Sequence, residues 1–325
     1  MAQLKTTFAG LTLNNPIIVS SSGLTDSPEK IKKLEEAGAG AVVLKSVFEE
    51  QITLQAETMH GYGTPEADDY LNAYIRSHTL NEHISLIEET KKACAIPVIA
   101  SINCYSDNEW TDFAKLMEKA GADALEINIL SLQTEKDYIP GSFEQRHINI
   151  LRHVKKEVKI PVIMKLGNNL TNPIFLIDQL YANGADAVVL FNRFYQPDID
   201  IDNFTFGSTN RMSTEQELAD RLRWTAIASA TVPQLDYAIS GGIHNGKGLI
   251  KAILAGACAT EICSAIYQNG PETIKAMLNE LTEWMNSKGF HTLTQFKAKM
   301  NAKAAGEINP FERTQFMKYY SNYTE

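Results

Sequence analysis

The chain has 325 residues, of which 30 are Lys or Arg and 39 are Asp or Glu, so its formal net charge is −9. This acidic balance disfavours binding to nucleic acid or to an anionic membrane. No stretch of about 18 apolar residues is present, and the first residues lack the apolar core of a signal peptide, so the sequence predicts a cytoplasmic protein without a membrane span. The four cysteines and the scattered histidines show no ligand spacing, and no metal site is predicted.

Two short patterns alternate along the chain, and each occurs four times. The first is a proline followed by an apolar run, at 16–20, 97–101, 161–165 and 233–241. The second is a Gly-Ala turn followed by another apolar run, at 38–45, 121–126, 184–189 and 256–261. Short apolar runs of this kind are typical of parallel strands buried on both faces. Their strict interleaving predicts an α/β fold, the eight-stranded (β/α)8 TIM barrel, with a doubly wound open sheet as the alternative.

Helical patterns between these runs supply the crossovers that parallel strands need. Ser27 and Pro28 favour the start of a helix that continues through Leu34, because serine caps helices and proline suits the first helical position. Each Gly-Ala phrase is predicted to end a helix at its glycine and to turn into a strand. Further helices are predicted at 80–94, 108–119, 143–158, 172–182, 214–228 and 246–254.

A bare barrel takes roughly 250 residues, so this chain has room for additions. We expect an amino-terminal hairpin at 4–15, an insert after strand 2 at 49–79 that forms a substrate lid, a loop after strand 6 at 195–213, and a carboxyl-terminal helical extension at 271–325. No Pro/Ser-rich linker interrupts the pattern. Residues 1–325 are therefore predicted to form a single domain.

Lysines stand at the ends of two predicted strands, and in a β/α barrel the active site lies at the carboxyl ends of the strands. Lys45 ends strand 2 and Lys165 ends strand 5. Two lysines at one cavity would focus positive charge there and would require an anionic ligand or a carboxylate. The alternative is a structural ion pair, with Glu126 as the candidate partner.

Other strand ends carry small or polar residues. Ser20 and Ser21 let a planar ring or a phosphate approach the backbone, although a simple turn explains them equally well. Asn128 offers donors and an acceptor suited to the edge of a heterocycle, and Asn192 with Arg193 suits a polar anionic substrate. Ser240-Gly241-Gly242 follows strand 7. Loops after strands 7 and 8 often bind phosphate in this fold.

Taken in order, these pieces resemble the dihydroorotate dehydrogenase family of flavin-dependent β/α barrels. The resemblance extends from Leu4 to Pro271 and is carried by Val43-Leu44-Lys45-Ser46, Glu126-Ile127-Asn128, Lys165, Asn192 and Ser240-Gly241-Gly242-Ile243. It is nearer the class 1 enzymes. It implies an FMN-dependent oxidoreductase that converts dihydroorotate to orotate in pyrimidine biosynthesis, and it implies a homodimer. The chain shows no iron–sulfur cysteine cluster and no glycine-rich nicotinamide motif, so an accessory electron-transfer subunit remains open.

The resemblance also implies roles for individual residues. The FMN phosphate would lie on Gly241, Gly242, Cys263 and Ser264. The flavin ring would approach Ser20, Ser21, Lys45, Asn128 and Lys165. A cation there stabilises the negative charge that the ring acquires. The substrate would contact Lys45, Asn128, Asn192 and Arg193. The base that removes the substrate proton lies on the loop after strand 4, where this chain has Ser131, with Lys45 as the second catalytic residue.

The substrate half of the pattern departs from the family. Leu130-Ser131-Leu132-Gln133 stands where members show Ser-Cys-Pro-Asn or Ser-Ser-Pro-Asn, Arg193 stands where a small hydroxyl residue is common, and Cys263 replaces a glycine. Two alternatives follow: a flavin oxidoreductase acting on another small cyclic or unsaturated substrate, and a non-catalytic FMN-binding relative. Cys104, after strand 3, is a rival base, although a small buried side chain explains it more simply.

Overall fold

A computed structural model describes residues 2–48, 65–105, 110–208, 211–306 and 309–319, with the backbone alone at 65–77, 110 and 318. Eight parallel strands pair in chain order, and the eighth pairs with the first, so the sheet closes into the predicted TIM barrel. Strands 1 to 8 are Ile17–Val19, Ala41–Val43, Val98–Asn103, Ala124–Ile129, Val162–Leu166, Ala187–Leu190, Asp236–Ser240 and Ala259–Ile262.

Helices surround the barrel and lie close to the predicted positions. They are Pro28–Glu36, Pro65–Ala93, Trp110–Lys119, Ser142–Glu157, Pro173–Ala182, Leu218–Thr231, Gly246–Ala255, Ser264–Asn269, Glu272–Lys288 and Gln315–Tyr319. The second helix begins well before the predicted residue 80, inside the proposed insert, and residues 49–64 of that insert lie outside the described residues. Across the described ranges, no helix is both long enough and apolar enough to span a bilayer.

The Gly-Ala phrases end helices as predicted. Gly38, Gly121, Gly184 and Gly256 all have a positive φ, between 89° and 120°. In each case the amide of the following alanine donates to a carbonyl five residues earlier, as from Ala257 to the Ala252 oxygen at 3.0 Å. This hydrogen bond satisfies a carbonyl at the helix end, and glycine adopts the required backbone conformation without a side-chain penalty. Each turn therefore leads directly from a helix into a strand.

Aspartates that follow two of these turns tie neighbouring strands together. The Asp123 carboxylate accepts a hydrogen bond from the Val98 amide at 2.7 Å and pairs with Lys91 at 2.7 Å. Asp186 accepts from the Val162 amide, also at 2.7 Å. In both cases the donor is the first residue of the preceding strand, so the side chain fixes where that strand begins.

The barrel interior changes from apolar to polar along the strands. The amino-terminal hairpin, Thr6–Phe8 paired with Leu11–Leu13, contributes Phe8 and Leu13 to an apolar cluster inside the barrel. Because strand side chains alternate between the two faces, the inward positions recur every second residue. In six of the eight strands the next inward position toward the carboxyl end is buried and polar: Ser20, Ser101, Glu126, Lys165, Ser240 and Glu261. The sequence therefore builds a polar floor beneath the open end of the barrel.

The segment after strand 6 forms an exposed antiparallel hairpin, Pro197–Asp200 paired with Thr205–Ser208. The sequence predicted only a loop here. Phe204 and Phe206 are each 89% exposed. These two rings contribute nothing to the core, so the hairpin projects apolar surface away from the barrel.

Candidate active site

A cavity of ≈ 350 Å³ opens at the carboxyl ends of the strands. This volume is typical of small-molecule sites. The cavity brings together most residues that the sequence singled out: Ser20, Ser21, Asn128, Lys165, Asn192, Arg193, Gly241, Cys263 and Ser264. The structure thus places strand ends from all around the barrel at one cavity.

Lys165 lies at the cavity floor within a buried ionic cluster. Its Nζ is 2.5 Å from Glu261 Oε2 and 3.4 Å from Glu126 Oε1. It also donates to Ser20 Oγ at 3.1 Å, and Ser20 Oγ donates to Glu261 Oε2 at 3.0 Å. The ion pair with Glu126 that the sequence offered as an alternative is present, but Glu261 makes the shorter contact.

The cluster combines two carboxyl groups with one ammonium. Burial and the adjacent Glu261 carboxylate raise the pKa of Glu126 well above its ordinary value. Burial acts on the pKa of Glu261 in the same direction, but the Lys165 charge and hydrogen bonds from its neighbours lower it overall. Burial alone would lower the pKa of Lys165, whereas the two carboxyl groups raise it. The geometry therefore places two buried carboxyl groups against a single ammonium.

Two asparagines orient each other beside the cluster. Asn192 Nδ2 donates to Asn128 Oδ1 at 2.8 Å, and the Arg193 amide donates to Asn192 Oδ1 at 2.8 Å. Asn128 pairs with Lys165 in the register of strands 4 and 5. The two amide groups therefore present one defined set of donors and acceptors next to the lysine.

The turn after strand 7 is shaped by two glycines. Gly241 and Gly242 have φ values of 88° and 79°. A Cβ on Gly241 would lie 2.8 Å from Arg221 Nε, and a Cβ on Gly242 would lie 2.5 Å from the Leu218 amide nitrogen. Arg221 in turn donates to the Ser240 carbonyl at 2.7 Å. Backbone alone fits at this edge of the cavity.

A loop serine lies against the same turn. The Gly242 amide donates to Ser213 Oγ at 3.4 Å, and the Ser213 amide donates to Ser264 Oγ at 2.9 Å. Ser213 Oγ also lies 3.0 Å from His244 Nε2. Polar groups from the loops after strands 6, 7 and 8 therefore meet at this point.

Arg193 stands at the rim, where its guanidinium is held by protein groups. Its Nε donates to Glu217 Oε2 at 3.0 Å, and its Nη1 donates to the Arg211 carbonyl at 3.2 Å. Glu217 also contacts Arg221 at 3.4 Å. The orientation of Arg193 at the mouth is thus set by Glu217 and by the backbone of Arg211.

Lys45 is not brought to the same cavity as Lys165, contrary to the expectation from the sequence. Its side chain is exposed and lines a second cavity of ≈ 680 Å³. Strand 2 ends at Val43, and pairing resumes only at Val47–Phe48. Across this break Ser46 faces the first cavity, with its Oγ 2.9 Å from Ser21 Oγ. The role of Lys45 at a cofactor remains a prediction.

The two candidate bases do not line the first cavity as the structure describes it. Ser131 lies on the loop after strand 4, where its Oγ donates to the Leu132 carbonyl at 3.5 Å and accepts from Gln133 Nε2 at 3.3 Å. Leu130 lines the cavity instead. Cys104 is 1% exposed, which fits a small buried side chain.

No role was assigned from the sequence to several residues of this site: Ser46, Asn103, Arg211, Ser213 and Glu261. Glu261 follows from strand periodicity, because Ala259 faces the barrel interior and the next inward position is two residues later. Arg211 and Ser213 stand on a loop, where no regular period applies.

Comparison with known proteins gives one consistent match. The family model described as dihydroorotate dehydrogenase matches residues 3–285. A Thermoplasma volcanium protein named dihydroorotate dehydrogenase B (NAD(+)), catalytic subunit, is 30% identical over 315 residues, which cover 91% of this chain and 97% of the relative. Proteins of the same name from Methanocella arvoryzae and Methanocaldococcus jannaschii are 32% and 26% identical, over 80% and 88% of this chain and 86% and 94% of their own lengths.

Proposed function

Because the chain belongs to the dihydroorotate dehydrogenase family, we propose that it oxidises dihydroorotate to orotate with FMN as its cofactor. It is an oxidoreductase enzyme of that family. One observation carries the proposal: Asn128, Lys165 and Asn192 converge on a single cavity at the carboxyl ends of the barrel strands. A flat, anionic ring needs this combination of amide hydrogen-bonding groups and fixed positive charge.

The residues present fit FMN. Gly241 lines one end of the cavity with backbone alone, and a Cβ on Gly241 or Gly242 would collide with Arg221 or Leu218. The Gly242 amide donates to Ser213 Oγ, which a phosphate oxygen would replace as acceptor. Ser264 Oγ accepts from the Ser213 amide, so its own hydrogen is available to the phosphate. Lys165 supplies positive charge near the other end. When bound, FMN supplies the acceptor for the hydride that leaves the substrate.

The chain's own side chains bind and orient the substrate and remove its proton. Asn128 and Asn192 orient the substrate ring through hydrogen bonds. Arg193, held at the rim by Glu217, offers its guanidinium to the substrate carboxylate. Ser131 takes the proton from the substrate carbon. Since an unaided hydroxyl is a weak base, this step requires the loop to close and to pass the proton to solvent.

Colour and bleaching test this proposal. The purified protein should show flavin absorbance, and anaerobic dihydroorotate should bleach it. Ser131→Ala should retain the absorbance and slow bleaching by at least about a hundredfold, in the range lost when a general base is removed. Ser287→Ala, on an exposed helix position, should bleach like the wild type.

The possible failures are distinguishable. A colourless protein would refute the cofactor, and a yellow protein that dihydroorotate does not bleach would refute the substrate. If Ser131→Ala bleaches normally and Cys104→Ala does not, the base is Cys104.

We also infer that electrons leave through a second protein chain. The relatives are named catalytic subunits of an NAD(+) enzyme, a name that implies a further subunit. The purified chain, once reduced by dihydroorotate, should not be reoxidised by NAD+. Rapid reoxidation by NAD+ or by fumarate alone would show that no further subunit is needed.

We further propose that the chain forms a homodimer. The exposed hairpin Pro197–Asp200 and Thr205–Ser208 supports this, because Phe204 and Phe206 are each 89% exposed. Large exposed apolar patches mark association surfaces. Sedimentation should give a dimer for the wild type and a monomer for the Phe204→Ser, Phe206→Ser double variant. A monomeric wild type would contradict the proposal.

A further inference from the structure

The buried cluster has one carboxyl group more than its ammonium needs. Lys165 Nζ is within 4 Å of both Glu126 and Glu261, at 3.4 and 2.5 Å. Each carboxyl group also has one buried oxygen without a hydrogen-bond partner, Glu126 Oε2 and Glu261 Oε1. A buried polar atom left without a partner costs about 1–3 kcal/mol, and more when it is charged. The heavy atoms of the cluster therefore leave its hydrogen bonding incomplete.

One added proton neutralises the cluster and supplies a further hydrogen-bond donor. Two carboxylates with one ammonium would bury a net negative charge. A buried carboxylate without a counterion takes up a proton instead. A protonated carboxyl gains one donor. A hydrogen bond between Glu126 and Glu261 contributes to the pKa of each group. A proton shared by the two groups removes the excess negative charge.

Ser20 and Cys263, the described neighbours that contact the cluster or contribute to its electrostatics, add no charge to it. Ser20 bridges Lys165 and Glu261 through a neutral hydroxyl. Burial raises the pKa of the Cys263 thiol, although Ser22 and Lys165 act in the opposite direction, so the thiol stays protonated near pH 7. The charge balance thus rests on the three members of the cluster.

We propose that Glu126, Glu261 and Lys165 form one neutral proton-sharing unit beneath the cofactor, in which the single shared negative charge limits how strongly Lys165 stabilises the reduced flavin. Both carboxyl groups reach the ammonium, so either can carry the charge. Removing one should cause the other to release the shared proton and to become the sole counterion. Removing both leaves the anionic reduced flavin as the only counterion of the ammonium. The effect on flavin rests on the proposed FMN site, whereas the shared proton does not.

Infrared spectroscopy of the cofactor-free protein tests the shared proton. The wild type at pH 7 should show the C=O stretch of a protonated carboxyl that moves on ¹³C-glutamate labelling. Both Glu126→Gln and Glu261→Gln should lose this band. Glu283→Gln, at an exposed helix position, should retain it. A wild type without the band, or a band that survives in either cluster variant, would overturn the proposal.

The FMN reduction potential tests the consequence. In the double variant Glu126→Gln, Glu261→Gln, the affinity for reduced relative to oxidised FMN should rise at least tenfold, which is about 30 mV for a two-electron couple. Each single variant should stay within about threefold of the wild type, because one counterion remains. An unchanged or lower potential in the double variant would overturn the proposal. If that variant does not fold, the infrared spectra of the single variants still decide. A protein that binds no FMN would refute the proposed function and leave the infrared result standing.

Discussion

Replacing Lys165 with methionine should destabilise the cofactor-free protein in a strongly pH-dependent way. Methionine keeps a similar apolar stem but removes the ammonium that lies 2.5 Å from Glu261 and 3.4 Å from Glu126. All three side chains are nearly inaccessible to solvent. The carboxylate left behind can remain buried only if it takes up a proton, so the folded variant holds one more proton than the wild type.

The magnitude follows from the ordinary pKa of glutamate. Protonating a carboxyl of pKa about 4.3 at pH 7, at 1.36 kcal/mol per pKa unit, costs about 3.7 kcal/mol. This agrees with the loss of about 3–5 kcal/mol when one partner of a buried ion pair is removed. In the variant, the folded-state pKa of Glu261 lies above its unfolded value. Stability therefore falls as pH rises, and the deficit relative to the wild type should shrink by about 1.4 kcal/mol per pH unit from pH 7 to pH 5.

Urea unfolding followed by tryptophan fluorescence at pH 5, 6 and 7 measures this deficit by linear extrapolation. Lys155→Met is the matched control, because Lys155 pairs with Asp186 at 2.9 Å where both side chains are partly exposed. We expect this control to lose less than about 1 kcal/mol, with no trend over the same pH range. A Lys165→Met protein within about 1 kcal/mol of the wild type at pH 7, or a deficit that does not change with pH, would refute the charge assignment of the cluster.

Three further changes test the barrel and the site. Asp123→Ala removes the acceptor of a strand 3 amide at 2.7 Å and should lower the free energy of urea unfolding by about 1–3 kcal/mol. Gly256→Ala places a Cβ 2.3 Å from Ser229 Oγ at a φ of +120°, so its melting temperature should fall, with a loss of at least about 1 kcal/mol. Asn192→Ala removes the 2.8 Å contact to Asn128 and should retain FMN absorbance while dihydroorotate bleaching slows at least about tenfold, as expected when a hydrogen bond of 1.4 kcal/mol is lost.

Each of these changes has a control variant or an outcome that would contradict the reasoning. Gly289→Ala adds a Cβ with nothing within 4 Å at a φ of +71°, so it carries the backbone strain without the collision and should lower the melting temperature less than Gly256→Ala. Asp137→Ala, at an exposed position, should unfold like the wild type. Equal losses in these controls and in the buried sites would contradict the packing argument. Loss of FMN together with bleaching in Asn192→Ala would show that Asn192 holds the cofactor rather than the substrate.

The fold could be predicted because its signals are local. Gly38, Gly121, Gly184 and Gly256 each require a left-handed conformation at a helix end, and glycine meets that requirement whatever surrounds it. The apolar runs beside them indicate buried strands without reference to distant residues. The start of the second helix at Pro65, within the predicted insert, was not foreseen. The hairpin after strand 6 also differs from the predicted loop. Phe204 and Phe206 are of a residue type that is usually buried, and both are exposed here.

The direction of the site side chains could be predicted from the sequence only within the hydrogen-bonded strands of the barrel. Asn128 and Lys165 pair with each other inside strands 4 and 5, so alternation determines which way they face. Asn192 lies beyond the last residue of strand 6, although its amide still donates to the Leu166 carbonyl at 2.7 Å. It shares the parity of the outward-facing Val188 and Leu190, so alternation alone would not have placed it at the cavity that it lines. The Lys45 amide, by contrast, donates to the Thr25 carbonyl at 3.2 Å rather than to strand 3.

Ser131 departs from the ladder in the same way. Strand 4 ends at Ile129, and the Ser131 carbonyl accepts from the Asn169 side chain at 2.8 Å instead of from a neighbouring strand. Once the ladder stops, a contact remote in sequence sets the direction of the side chain, and no period in the sequence carries that information. The backbone has thus left the barrel sheet at both residues assigned catalytic roles from the sequence, Lys45 and Ser131. Their side chains reach the cavity only if these loops rearrange when substrate binds, whereas Asn128, Lys165 and Glu261 are held in place by the sheet.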